Sequence, residues 1–131
     1  FKQFTGVWRG EMGKDTIFTM EINSFYNGFE TYVKTESKGK LVMEEKALMG
    51  YDKKSDKLIE SGIISNSPEV ILWALWFTSD KKCEEVLLED IANPEKAILK
   101  WEFELLTPNS MAWNNLNNNR ITGTYTFYRE K

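Results

Sequence analysis

The sequence predicts an all-β protein: a closed or nearly closed antiparallel up-and-down β-barrel of about eight to ten strands. Apolar and polar residues alternate with a period of two through most of the chain, and no stretch keeps the period of 3.6 typical of a helix. Turns rich in Gly, Pro, Asn or Asp recur about every 10 to 16 residues. The length of 131 residues and the lack of any linker predict one domain over residues 1–131.

Each predicted strand is a run of alternating or apolar residues between two turns, which gives about ten strands in chain order. They are Phe4–Met12, a second strand marked by Phe18, Met20 and Ile22, then Phe29–Ser37, Leu41–Tyr51, Leu58–Ser65, Val70–Phe77, Glu85–Ile91, Ala97–Leu105, Met111–Asn114 and Ile121–Tyr128.

The turns between the first five strands have the composition of short hairpins. Asn27-Gly28 predicts a tight turn because both residues tolerate a positive φ. Lys38–Lys40 and Asp52–Asp56 precede and follow the fourth strand. Pro68 ends the fifth, since proline has no N–H for a sheet ladder.

The second half of the chain contains both the least and the most regular pattern. Val70–Phe77 is apolar on both faces, so it is either a strand covered on both sides or a short buried helix. Its length and its Val, Ile, Trp and Phe content favour a strand. Ala97–Leu105 has the cleanest alternation, and an asparagine-rich loop up to Asn119 precedes the last strand.

Closure of the sheet follows from the cost of free edges. A meander with two unpaired edge strands invites aggregation, and pairing of the first strand with the last removes both edges. A closed barrel of eight to ten strands has an interior wide enough for side chains and one small ligand.

Composition excludes several classes of function. The net charge is −3 and the lysines are interspersed with acidic residues, so we expect no nucleic acid partner. The longest apolar run is too short for a membrane-spanning helix. The chain has no His, the commonest general base and metal ligand, and its one Cys, Cys83, is expected in an exposed turn without a catalytic role. The first residue is Phe1, which predicts removal of an upstream leader or tag and leaves cytoplasmic and exported locations open.

The stretch Gly6-Val7-Trp8 on the first strand, with an arginine beside the last strand, resembles the calycin superfamily. This superfamily includes lipocalins, fatty-acid-binding proteins, nitrobindins and small bacterial lipocalin-like domains. The resemblance implies a lipocalin-like barrel in which Trp8, beside Gly6, plugs one end and Arg120 or Arg129 covers its ring. The helical pair of fatty-acid-binding proteins is absent, and no residue corresponds to the nitrobindin histidine, so we expect no haem.

Two sets of residues are candidates for a ligand site. Apolar and aromatic side chains at inward positions either line a pocket or simply fill the barrel. Carboxylates on inward faces, Glu45, Glu60 and Asp90, would be paired, protonated or turned outward by a shift in register. The candidate ligand-binding residues are Met20, Met43, Glu45, Glu60, Trp76, Trp101, Phe103, Trp113 and Tyr125.

The leading hypothesis is non-enzymatic binding of a small hydrophobic molecule, lipid-like or aromatic, inside the barrel. A second hypothesis is a small acid/base enzyme that uses the inward carboxylates with Tyr32 or Tyr125 as a further proton donor. A third is a filled barrel that binds another protein through exposed residues such as Tyr32 and Tyr128. We assign no catalytic residue, metal or cofactor from the sequence, and the oligomeric state stays open.

Overall fold

Ten antiparallel strands form one sheet that closes on itself in a computed structural model, which describes residues 1–131. Each strand pairs with its neighbours in the chain, and β1 pairs with β10. The predicted closed up-and-down barrel is therefore confirmed, with ten strands. The strands are β1 (Gly6–Glu11), β2 (Thr16–Phe25), β3 (Gly28–Ser37), β4 (Lys40–Asp52), β5 (Lys57–Ile64), β6 (Val70–Ser79), β7 (Lys82–Leu87), β8 (Lys100–Thr107), β9 (Ser110–Asn117) and β10 (Arg120–Arg129).

Tight turns between neighbouring strands explain why the chain meanders. Lys38-Gly39 joins β3 to β4, and Asn118-Asn119 joins β9 to β10, with positive φ at all four residues. Two consecutive residues with positive φ match the twist of antiparallel strands. The predicted asparagine-rich loop is therefore only a two-residue turn, and β9 is longer than the predicted Met111–Asn114.

The seam between β1 and β10 closes the sheet. Trp8 lies opposite Arg129, and Gly10 lies opposite Phe127. A Cβ atom on Gly10 would lie 2.5 Å from the Phe127 ring and 2.6 Å from a main-chain oxygen, so the seam requires a glycine at this position. Closure removes the free edges that a ten-stranded meander would otherwise expose.

The inward faces of the strands form the core. Register places Trp8, Met20 and Val33 in one row across β1, β2 and β3, and Glu45 on β4 continues this row. The largest buried cluster combines these apolar side chains with the aromatic residues of β8, β9 and β10. The predicted strand at Val70–Phe77 is confirmed as part of β6.

A segment between β7 and β8 covers the outer wall of the barrel. It contains two short 3-10 helices, Leu88–Asp90 and Pro94–Lys96, and the first of them contacts β6. The strand predicted at Glu85–Ile91 lies earlier in the chain, because β7 begins at Lys82 and ends at Leu87. The strand predicted from Ala97 begins only at Lys100. Four outward-facing side chains are buried on this wall: Ala74, Val86, Lys100 and Leu116.

The N-terminal residues of the predicted first strand also differ. Phe4 belongs to a 3-10 helix, Lys2–Phe4, and β1 begins at Gly6. No helix of the structure has the length and apolar character needed to cross a membrane.

Candidate ligand-binding site

One end of the barrel is closed by a tryptophan plug. The Trp8 side chain is completely buried, and its Nε1 donates a 2.8 Å hydrogen bond to the carbonyl of Phe4. That carbonyl belongs to the 3-10 helix, and Phe4 itself is also buried. The helix and the tryptophan thus form the floor of the barrel.

Arg129 covers the plug. Its guanidinium carbon lies 4.3 Å from the centre of the Trp8 ring, a distance at which cation and ring attract each other. The guanidinium also donates to the carbonyls of Gln3, Thr5 and Pro108. Arg120, the other predicted cover, instead lies exposed at the beginning of β10, so its proposed role is wrong.

Gly6 leaves space for this arginine. Its φ is +125°, a conformation that L residues rarely adopt, and a Cβ atom there would lie 2.5 Å from Nη1 of Arg129. The Gly-x-Trp spacing therefore has a physical reason, since glycine admits the guanidinium that covers the ring two residues later.

Above the plug lies a cavity of about 240 Å³. Sixteen of its twenty lining residues are hydrophobic. The lining comes from β2 through β9, from Leu99 just before β8 and from the N-terminal segment. Lining residues at the end opposite the plug, such as Met43, Ile64 and Leu99, are only half-buried. The cavity is thus closed at the plug and more accessible at the opposite end.

Seven of the nine predicted ligand-binding residues line this cavity: Met20, Met43, Glu45, Glu60, Trp101, Phe103 and Trp113. Two predicted residues do not. Trp76 lies on the outer face of β6 with the Lys57 ammonium 5.1 Å from its ring, because its neighbour Leu75 takes the inward position. Tyr125 is half-buried against the core cluster and does not reach the cavity.

Three carboxyl groups share the cavity: Glu45 on β4, Glu60 on β5 and Glu85 on β7. Sequence reasoning placed Glu45 and Glu60 on inward faces but missed Glu85. Asp90 was predicted in its place, yet it lies in the outer 3-10 helix. The sequence signal for Glu85 was its position two residues after Cys83, on the same face of the strand. Cys83 is buried, so the prediction that it lies in an exposed turn is also wrong.

The carboxyl groups have few partners. Glu60 accepts only a long 3.5 Å hydrogen bond from the Thr31 hydroxyl. Glu45 Oε1 is buried without a hydrogen-bond partner, and Glu85 makes neither a hydrogen bond nor an ion pair although it is only 7% exposed. Buried polar groups are nearly always partnered, so these groups are candidates to meet a ligand.

Burial and mutual repulsion change the acidity of these groups. Burial, followed by the charge of Glu45, raises the pKa of Glu60 to about 8. Burial also raises the pKa of Glu85 well above its ordinary value, with added repulsion from Glu60 and Glu45. Desolvation raises the pKa of Glu45 as well. At neutral pH Glu60 is therefore protonated, and burial shifts Glu45 and Glu85 toward the protonated form as well.

An aromatic cluster surrounds Trp113 at the side of the cavity. The ring centres of Phe18, Trp101, Phe103 and Phe127 lie between 4.8 and 5.3 Å from that of Trp113. Its indole Nε1 is buried and has no acceptor. The cluster offers an apolar wall with one free hydrogen-bond donor.

The tyrosines proposed for other roles lie outside the cavity. Tyr32 is on the outer face of β3 and donates a hydrogen bond to Glu44. Tyr128 is exposed on β10. Neither Tyr32 nor Tyr125 can therefore exchange a proton with a molecule inside the barrel, as the enzyme hypothesis required.

Nowhere in the chain do three or more His, Cys, Asp or Glu side chains come together in an arrangement that could hold a metal ion. The sequence matches no model of a protein family, and a search of curated proteins finds no match either. What defines the class of this protein is its architecture: a closed ten-stranded up-and-down barrel with a plugged end and an interior cavity.

Proposed function

We propose that this protein binds a small hydrophobic molecule inside its barrel without transforming it. The observation that carries the proposal is the cavity of about 240 Å³ with its predominantly apolar lining. Ligand sites are typically concave and apolar with a few placed polar groups, and Glu45, Glu60 and Glu85 are such groups here.

The size of the cavity favours a compact ligand. Sites for drug-sized molecules usually measure about 300–1,000 Å³. A volume of about 240 Å³ suits a compact aromatic or short aliphatic compound better than a long acyl chain. Burial of apolar surface would supply most of the affinity, at about 25 cal/mol per Å².

We further propose that the barrel is of the calycin type. The support is the Gly6-Val7-Trp8 stretch, with Trp8 buried at one end and Arg129 over its ring. The absence of a helical pair after β1 makes the likeness nearer to nitrobindins than to fatty-acid-binding proteins.

One observation favours the enzyme hypothesis as a second candidate. A carboxyl group whose pKa is raised to about 8, as for Glu60, can donate or accept a proton near neutral pH. Glu45 and Glu85 are then the proton-transfer partners available in the cavity. Recovery of a bound ligand chemically unchanged after long incubation would favour the binding protein, whereas its conversion would favour the enzyme.

We expect the neutral fluorescent probe N-phenyl-1-naphthylamine to enter the cavity, and the substitution Met43→Trp to weaken its binding at least about tenfold. Met43 lines the cavity near its more accessible end, so a larger ring there fills the space that the probe needs. The measurement is a fluorescence titration, because the emission of this probe rises in apolar surroundings.

The matched control is Leu48→Trp, which adds the same ring on the exposed outer face of the same strand. This variant should bind the probe as the unmodified protein does. Circular dichroism establishes that both variants are folded. No uptake of the probe by the unmodified protein, or equal affinities for the two folded variants, would refute binding inside the barrel.

A further inference from the structure

We propose that the molecule bound in the cavity is a small hydrophobic organic cation, whose ammonium group faces Glu45, Glu60 and Glu85. This inference rests on the function proposed above and adds the charge of the ligand to it. It predicts a preference for amines over alcohols of the same shape, and exclusion of carboxylates.

The first argument is the balance of charge in the cavity. Its lining contains three carboxyl groups and no Lys or Arg side chain. Two buried or half-buried cations of the barrel are engaged elsewhere. Lys100 faces outward and contacts Glu84 and Asn119. Arg129 is held over the plug by three backbone carbonyls. A cationic ligand would therefore meet carboxyl groups and no opposing Lys or Arg side chain in this cavity.

The second argument is the lack of partners. Glu85 is nine-tenths buried and lines the cavity, yet no hydrogen bond or ion pair satisfies it. Glu45 Oε1 is also unsatisfied. An unpaired buried carboxylate is costly, whereas an ammonium group with three N–H donors can serve several carboxylate oxygens at once.

The third argument is the position of the aromatic rings. Register places Trp73 opposite Glu60 on the neighbouring strand, and Trp101 opposite Glu85. Both rings line the cavity. Aromatic faces attract cations and also pack against the apolar part of an amine. A carboxylate ligand, in contrast, would meet three acidic groups.

Binding of a cation in the cavity would displace protons from the carboxyl groups. In the empty cavity burial favours the protonated form of these carboxyl groups, whereas an ammonium group favours the carboxylate, so that each carboxylate formed on binding releases one H⁺ to solvent. The other titratable groups near these carboxyls are the Cys83 thiol on β7 and the partly buried amino group of Phe1. The faces of β6 and β8 that line the cavity carry no ionisable side chain.

The test compares three probes of similar shape by isothermal titration calorimetry at pH 8: 2-phenylethylammonium, 2-phenylethanol and 3-phenylpropanoate. We expect the ammonium compound to bind at least about tenfold more tightly than the alcohol, and the carboxylate not to bind. Lowering the pH from 8 to 6 should weaken binding of the ammonium at least about tenfold, because protons compete for the carboxylates. The affinity of the alcohol should change little.

Glu-to-Gln substitutions separate the effect of the carboxyl charge on binding from the effect of the shape of the cavity. Glu60→Gln and Glu85→Gln should each reduce the affinity for 2-phenylethylammonium at least about tenfold and leave that for 2-phenylethanol within about threefold. The control Glu104→Gln, on the outer face of β8, should change neither. Equal loss of both probes in folded Gln variants would contradict the proposal, since the carboxyls would then only shape the cavity.

The outcomes also separate this inference from the proposed function. Binding of the alcohol or the carboxylate as tightly as the ammonium compound overturns the cation proposal and leaves the hydrophobic binding site standing. Uptake of N-phenyl-1-naphthylamine without binding of 2-phenylethylammonium does the same. If neither the three probes nor the naphthylamine bind, both proposals fail.

Discussion

Replacing Trp8 with alanine is expected to lower the free energy of unfolding by about 3–5 kcal/mol. The side chain is completely buried, so its removal leaves a cavity at the floor of the barrel. It also leaves the carbonyl of Phe4 without its hydrogen bond and Arg129 without the ring beneath it. Urea unfolding followed by far-UV circular dichroism measures the loss.

Trp76→Ala is the matched control for this prediction. Trp76 is the same residue type on the outer face of the same barrel, where only Lys57 lies over its ring. We expect it to cost about 1 kcal/mol or less, because the ring is only half-buried. Similar losses of unfolding free energy in Trp8→Ala and Trp76→Ala would refute the role of Trp8 as a plug. If Trp8→Ala does not fold, Trp8→Phe keeps the apolar ring and should show an intermediate loss.

The second large effect concerns pH. We expect the free energy of unfolding to fall as the pH rises from 5 to 9. A carboxyl group whose pKa is higher in the folded than in the unfolded state binds more protons when folded, so its contribution is complete below the unfolded pKa and lost through the folded pKa. The rise from 4.5 to about 8 for Glu60 corresponds to about 5 kcal/mol. Water that enters the cavity reduces this cost, so we expect a loss of about 2–5 kcal/mol.

Denaturant unfolding at a series of pH values measures this effect, and Glu60→Gln isolates it. The variant cannot titrate at this position, so its stability should fall less steeply with pH, with the remaining slope due to Glu85 and Glu45, and should exceed that of the unmodified protein at pH 9. Asp52 does not interfere, because its hydrogen bonds with Ser55 hold its pKa below the ordinary value. The amino group of Phe1 is common to both proteins and cancels. Parallel pH profiles for the two proteins would contradict the buried carboxyl cluster.

Most of the barrel could be predicted because most strands have one buried face and one face in contact with solvent. In β2 the alternation of Phe18, Met20 and Ile22 marks the inward face, and all three residues are in the core. The same rule predicted Glu45 and Glu60 on the inward face, and both line the cavity, although charged residues are unusual at inward positions. Period-two patterns determine facing even where the residue type is unusual.

The errors have a common physical cause in the segment that covers the outer wall. Between β7 and β8 this segment buries the outer faces of Ala74, Val86 and Lys100. Strands that are covered on both sides lose the alternation of apolar and polar residues. The apolar Val86 therefore predicted the wrong inward face for β7, and Glu85 was assigned to the outer face. Trp76 was misplaced for the same reason, since β6 is apolar on both faces.

The methionines offer the most direct test of ligand binding inside the barrel. Met20, Met43, Met49 and Met111 line the cavity, whereas Met12 does not. In the NMR spectrum of protein labelled with 13C at the methionine methyl groups, addition of 2-phenylethylammonium at pH 8 should shift the signals of these four residues and leave that of Met12 unchanged. A shift confined to Met12, or no shift at saturating concentration, would contradict a ligand in the barrel interior.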